Sequence, residues 1–425
     1  MEEGKPVEVL PPANNLIVDW TGDDDPDNPL NWPSKRKGII IALLSCLTFP
    51  TASSMFAPGI PLVMKDFHSS SVFYATFAVS VYLVGYSFGP LVFAPLSELY
   101  GRLPVYLATN VLFVIFTIAC AVAPSSGSLI GFRFLAGSAG SAPLVLGGGS
   151  VADLYPRETR GSKMAIFAIG PLIGPVAGPV AGAFLAEDVG WRWVFWVITI
   201  AASIVVIACF IFMRETYAPV LLERKAAGLR KSTANQDLRS KLSTDDSPRT
   251  AIAKAFIRPT KMFFMSPIVF FFVVYISVIY GYLYLLFTTI TEIYESVYHF
   301  STGLAGLSYI GIGVGMFIGL GAFGATSDRR IQKKKAQGDV SPEIRLEGLI
   351  PAAVCIPIGL FWYGWSAEKQ SHWIMPIIGT GWVGLGLIGI FVRCSGSFSP
   401  GPFLTSTSLQ CKRTLSTATL CLLHQ

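Results

Sequence analysis

The sequence predicts an all-α polytopic membrane protein built as two halves of six helices, the second half incomplete, with about ten spans in all. Three observations carry this. The 425 residues are 52% hydrophobic and only 14% charged, where a soluble domain of ordinary composition carries about 25% charged residues. Apolar runs of about 18 residues or more recur along the chain, each long enough to cross a hydrocarbon core about 30 Å thick as a helix. A long, basic, polar stretch follows the sixth run and separates two groups of runs. In lipid every backbone polar group must be satisfied within its own segment, so repeated spans are helices. The alternating period of a membrane β-barrel is absent.

Residues 1–38 form a polar, acidic segment ("VDWTGDDDPDNPLNWPSKRK") without the basic start and short apolar core of a cleaved signal peptide. The first span is therefore expected to be retained and to serve as the targeting signal. Spans are expected at 39–60, 75–97, 104–123, 129–152, 164–186 and 191–213, which make an N-terminal helical bundle over 39–213. Residues 214–267 read as a cytoplasmic linker loop, solvated and partly unstructured, that tethers the halves. Spans at 268–290, 303–325, 349–366 and 372–392 make the C-terminal bundle over 268–392, and 393–425 is a polar, atypical tail.

Orientation follows from the basic residues. With the N-terminus in the cytoplasm, 28 of the 32 lysines and arginines fall on that side, 11 of them in the linker. Bias of this size fixes topology by the positive-inside rule. The net charge of +6 is thus a topology signal and gives no ground for nucleic-acid binding.

The turn after the second span, "APLSELYGRLPVY", holds Glu98, Gly101 and Arg102 between apolar stretches. Glycine permits a tight reversal between antiparallel helices, and Glu98 can pair with Arg102 at a surface of reduced dielectric. At the end of the eighth span, "GATSDRRIQ" places Asp328 and Arg329 at the corresponding position of the second half, the kind of weak internal symmetry that parallel repeats leave. A short polar turn is the plain alternative; the echo favours a cytoplasmic latch.

These motifs resemble the major facilitator superfamily. "GPLVFAPLSELYGRLPVY" is similar to its loop 2–3 signature, with Glu98 at the acidic position and Gly101–Arg102 at the Gly–Arg pair; Ala94, Leu99 and Leu103 depart from the pattern. "RFLAGSAG", from Arg133 to Gly140, resembles the fourth-span motif with its buried arginine. "GPLIGPVAGPVAG", from Gly170 to Gly182, resembles the fifth-span antiporter motif, with Pro179 where the family has a second glycine. "NPLNWP" and "RETYAPVLLERKA" look like fungal members of the twelve-span drug:proton antiporter branch. The resemblance implies a major facilitator fold, alternating access, ion pairs that hold the halves together when outward-open, and Asp153 at the cytoplasmic end of the fourth span among the gating residues.

The residues also speak for themselves. Arg133 is a strong charge well inside a span, and such a charge is costly unless it faces protein or a water-filled cavity. It is expected to line the cavity and tune proton or anion affinity, the alternative being a side chain that snorkels to the nearby helix end. Gly170, Gly174, Gly178 and Gly182 recur every fourth residue, a smooth stripe for close helix approach, beside Pro175, which bends the helix. The stripe reads either as plain packing or, by resemblance, as an exporter feature. Tyr82, Tyr280 and Tyr284 are candidates for the cavity wall, able to stack on flat or cationic ligands, with ordinary packing as the alternative. No acid falls near mid-membrane in any span, so no proton carrier is named.

Enzymatic readings find little support. The four histidines show no metal-site spacing, no lysine-bearing phosphate loop marks an ATP-driven pump, and the seven scattered cysteines suggest no framework. No cofactor or metal is expected; the proton gradient is the energy source. The expected function is proton-coupled efflux of small organic compounds such as a drug, toxin or secondary metabolite, in the plasma membrane. The partners are then a small-molecule substrate, protons and the lipid bilayer. A polyamine or nutrient carrier is one alternative. A non-transporting relative is another, because "RCSGSFSPGPFLTSTSLQCKRTLSTATLCLLHQ" holds no run long enough to span and twelve-span relatives have two further helices there.

Overall fold

The structure, a computed structural model, describes residues 16–22, 24–51, 54–68, 71–242, 248–336 and 349–397. The side chains of some helical positions, Asp328 and Arg329 among them, lie outside that description, as does the tail from 398 onward. The described elements run as strand β1 (Ile17–Val18), helices α1 (Ser34–Thr51), α2 (Ile60–Asp66), α3 (Val72–Tyr100), α4 (Arg102–Ala121), α5 (Ser126–Gly140), α6 (Ala142–Leu154), α7 (Arg157–Phe167), α8 (Ile169–Asp188), α9 (Trp191–Phe212) and α10 (Ala218–Thr233), strand β2 (Arg239–Ser240), then α11 (Pro248–Met265), α12 (Pro267–Ser296), α13 (Thr302–Leu307), α14 (Ile310–Ala336), α15 (Leu349–Glu368) and α16 (Ile374–Ser397). Short 3-10 turns at Pro29–Asn31 and Ala57–Gly59 flank α1.

Among the described residues, eight helical stretches are long and apolar enough to cross a membrane: Thr76–Tyr100, Arg102–Ala121, Ser126–Leu154, Thr159–Asp188, Trp191–Phe212, Val269–Ser296, Thr302–Phe323 and Leu349–Glu368. They match the expected second to ninth spans. Two of the ten expected spans differ. The one at 39–60 is α1, which opens on Ser34-Lys35-Arg36-Lys37 and closes near Pro50, followed by the Ala57–Gly59 turn. The one at 372–392 is the shorter apolar helix Ile374–Ile390 within α16.

The chain forms two compact units, Met1–Leu307 and Ser308–Gln425. In the first, α3 crosses α5 at backbone contact: a Cβ on Gly85 would lie 2.1 Å from the Phe134 carbonyl oxygen, and one on Gly137 would lie 2.1 Å from that of Tyr82. Helix α1 meets α8 in the same way, a Cβ on Gly170 falling 2.0 Å from the Ser45 oxygen. With no hydrophobic force between helices in lipid, such dispersion contact holds the bundle. Apolar clusters fill the rest, one around Ile40, Leu44, Tyr106, Leu146 and Leu154 and another around Phe56, Leu129, Trp191 and Phe195. In the second unit, Gly315 of α14 lies against Gly381 of α16, and Gly359 of α15 against Gly379.

The stretch after α9, expected to be a partly unstructured linker loop, carries regular structure over much of its described length. Leu222, Ala226 and Leu229 recur at helical spacing on α10 and are buried, Ala226 and Leu229 against Val18 and Leu238. Strands β1 and β2 pair in parallel, Ile17 opposite Arg239 and Val18 opposite Ser240. The polar composition concealed a narrow apolar stripe, and that stripe has a partner in the N-terminal segment. Asp25 is the hub of this clasp. Its carboxylate accepts the Thr21 N–H and hydroxyl, the Asp27 N–H and the Lys225 ammonium at 2.7–2.9 Å, while Lys241 pairs with Asp19.

Candidate functional site

Two polar features stand out in the first unit. The first is at the α3–α4 turn. Gly101 takes φ +101°, a conformation that side chains resist, so the chain reverses within one residue. Arg102, the first residue of α4, then turns inward. Its Nε lies 3.4 Å from Asp153 Oδ2, its Nη1 donates to Ser97 Oγ at 2.6 Å, and its guanidinium lies 4.8 Å from the Tyr217 ring centre. The Arg102 and Asp153 side chains are 11% and 19% exposed, so the pair is far better shielded from water than a surface ion pair. Gly149 makes room for it, since a Cβ there would lie 3.0 Å from Arg102 Nη2.

The expected Glu98–Arg102 pair is not formed. Glu98 is exposed and makes no hydrogen bond or ion pair among the described residues. Asp153 takes the arginine because the α3–α4 reversal points it into the bundle, towards the end of α6. Asp328 and Arg329 lie within α14, but their side chains are outside the described set.

An acid the sequence reading passed over completes the cluster. Glu215, buried, accepts the N–H groups of Arg102 and Leu103 at 2.9 and 3.1 Å and those of Thr216 and Tyr217 at 3.0 and 2.9 Å. It thereby caps α4 from a distant segment, placing a negative charge at the positive end of that helix. The signal was legible in "RETYAPV": an acid directly after a span, with proline opening the next helix. At the opposite end of the bundle, Asp66 binds Arg192 and the Trp191 indole N–H, and the Arg192 hydrogen bond holds its carboxyl below the usual range.

The second feature is a pocket between helices of the first unit, lined by Arg133 with Pro50, Phe56, Tyr82, Phe113 and Phe195. The Gly85–Phe134 and Gly137–Tyr82 contacts are what bring α3 close enough for Tyr82 to face Arg133. Arg133 is 8% exposed, which removes the snorkelling alternative. Its guanidinium carbon lies 4.3, 5.4 and 5.8 Å from the ring centres of Phe56, Tyr82 and Phe195. Its Nε–H is buried with no hydrogen-bond partner. Tyr284 of α12 lies within electrostatic reach of Arg133, partly buried, whereas Tyr280 is exposed. Arg133, Tyr82 and Tyr284 thus come together, and Tyr280 lies beside Tyr284 as a more exposed neighbour.

The α8 stripe lies apart from the pocket wall. Gly170 packs on α1, donating its N–H to Ser45 Oγ at 3.0 Å, and Gly182 packs on the Met55 backbone. Gly174 and Gly178 are buried, and the Pro175 carbonyl accepts the Ser54 hydroxyl at 3.5 Å. Among the described residues, no group of three or more His, Cys, Asp or Glu is arranged to hold a metal ion.

Comparison with known proteins places this architecture. Residues 42–408 match the family described as Major Facilitator Superfamily. The chain is similar to the MFS-type transporter penM of Penicillium rubens, 54% identical over 382 residues covering 89% of this chain and 75% of that protein. It is also similar to the efflux pump radE of Floropilus chiversii, 46% identical over 376 residues covering 87% and 70%. Among solved structures it resembles the xylose transporter XylE from E. coli in a partially occluded inward-open conformation, with TM-score 0.60 and 17% identity over 85% of this chain and 86% of that one. A bacterial homologue of the human lysosomal transporter Spinster gives TM-score 0.57, with 17% identity over 89% and 79%. At these identities the structures speak for the fold alone.

Proposed function

As the chain belongs to the Major Facilitator Superfamily and is a multi-pass membrane protein, we propose that it exports small organic compounds in exchange for protons by alternating access. One observation carries this reading: a pocket walled by aromatics and holding a buried charge lies inside the bundle, while a shielded ion-pair cluster sits at one of its ends. A carrier needs both, a place for cargo and a closure that opens and shuts. In this reading the N-terminus is cytoplasmic and the membrane is the plasma membrane. The bundles at 39–213 and 268–392 are the moving halves, and Arg102, Asp153 and Glu215 form the cytoplasmic closure with Gly101 at its turn. Asp328 and Arg329 would be the corresponding gate of the second half. The efflux pump among the relatives supports the outward direction. A polyamine cargo fits poorly, because it would bring cations to a pocket whose charged wall residue is itself a cation.

The test is accumulation of a panel of toxic organic compounds in a transport-deficient host expressing this chain, with and without a protonophore. Lowered accumulation that the protonophore abolishes is expected. Accumulation equal to that of the empty host across the panel would overturn the reading.

A further inference from the structure

Arg133 poses a problem of charge. Guanidinium stays protonated under all conditions a protein meets, and a buried cation is expensive unless paired. Yet Arg133 has no hydrogen bond or ion pair among the described residues, and no acid lines its pocket. The three rings within 6 Å of its carbon supply part of the compensation by cation–π attraction. Cation–π attraction acts through the face of a ring and leaves the N–H donors unused. Those donors lie in one plane as a rigid fork that matches a planar two-oxygen anion. Among the described residues none supplies that anion.

We propose that the cargo supplies it: Arg133 anchors an organic monoanion, a carboxylate or an enolate of like geometry, whose apolar body lies against Phe56, Phe113 and Phe195. This rests on the transport reading above and narrows its cargo to lipophilic organic acids. Tyr82 and Tyr284 flank the anchor, and the Phe56 and Phe195 rings face its guanidinium, an apolar wall beside which a charge-assisted bond is stronger than in bulk water.

The probes are three molecules of one shape: 2-naphthoate, neutral 2-naphthamide and the cationic 2-naphthylmethylammonium. Equilibrium binding of each radiolabelled probe is measured on the full chain in nanodiscs, with the signal of empty nanodiscs subtracted. The parent chain should bind naphthoate at least about tenfold tighter than the amide, the effect of one net charge-assisted hydrogen bond, and the ammonium most weakly. Arg133→Gln should bring naphthoate and amide to parity, and Arg133→Lys should keep part of the preference as a point charge without the fork. Parity in the parent chain, absence of naphthoate binding, or preference surviving in Arg133→Gln would each overturn the proposal. The parent comparison needs no variant and so stands even if Arg133→Gln fails to fold. Binding is read without transport: export of neutral compounds alongside naphthoate–amide parity sinks this inference and leaves the efflux reading, whereas anion preference without efflux of anything does the reverse.

Discussion

Glu215→Ala tests the cap that joins the end of α9 to the start of α4. One buried carboxylate accepts four N–H groups, those of Arg102, Leu103, Thr216 and Tyr217. Alanine removes the acceptor and supplies nothing in its place. Loss of a helix N-cap costs about 0.5–2 kcal/mol, and each donor then left buried and unpaired costs about 1–3 kcal/mol. If water reaches half of the four, the lost cap and the two remaining donors together cost about 2.5–8 kcal/mol. At about 2–4 °C per kcal/mol for a mid-sized domain, the apparent Tm should fall by about 5 °C or more. The assay is thermal unfolding of the purified chain in detergent at one fixed scan rate, since membrane proteins of this size unfold irreversibly. Glu215→Gln keeps a carbonyl acceptor and loses the charge at the helix end, so it should recover about half of the loss. An Ala variant within about 1 °C of the parent, or a Gln variant no better than Ala, would refute the reasoning.

Other outcomes follow from the same geometry. Arg102→Ala and Asp153→Asn, each destabilising alone, should together cost less than their sum by about 0.5–3 kcal/mol in a double-mutant cycle on Tm, whereas Glu98→Ala, at an exposed site, should stay within about 0.5 kcal/mol. Gly85→Leu drives a side chain into the Phe134 carbonyl and should cost about 1–3 kcal/mol or more, read as loss of monodisperse protein in size-exclusion chromatography. Burial raises the Asp25 carboxyl, but the Thr21 and Asp27 donors and Lys225 outweigh it and hold it well below the ordinary range. Its stabilisation is therefore complete above the unfolded value of about 3.9 and is lost as pH falls through the depressed folded value. Hydrogen exchange at the Arg239 and Lys241 amides, which donate to Leu16 and Val18, should be slow and steady in free energy above about pH 5 and quicken on acidification below about 4, and Asp25→Asn should erase that dependence.

The spans were legible because a span is defined by length and apolarity, which are local properties. Arg133 was legible for the same reason: a lone charge in an apolar helix has few innocent explanations. Tyr82, Tyr280 and Tyr284 were named from their place in spans, and nothing local foretold that Tyr280 would be the more exposed of them. The Arg102–Asp153 pair was half-read. Both residues were named, yet sequence proximity suggested Glu98 as the partner, and the reversal at Gly101 decided otherwise. Glu215 lies 113 residues from Arg102, and α10 buries its stripe against a segment some 200 residues earlier. Contacts of that range leave little trace in one sequence, and the charges on α10 masked the three apolar positions that would have announced a helix.

The pairing of β1 with β2 also dates itself. Asp19 and Lys241 meet across 222 residues of chain, so the first strand leaves the ribosome long before its mate exists. At about 5–20 residues per second, it waits some tens of seconds. During that wait α1 to α9 are made, and only when α10 follows can Val18, Asp19 and Asp25 find their partners. The clasp is thus a late event that reports an earlier one: it closes when the first nine helices have been delivered in order and both ends of the segment have come out on the same face of the bilayer. A chain with one span inverted would hold its two strands on opposite sides of the membrane, each with an open edge and an unburied apolar stripe, the kind of surface that chaperones and proteases recognise.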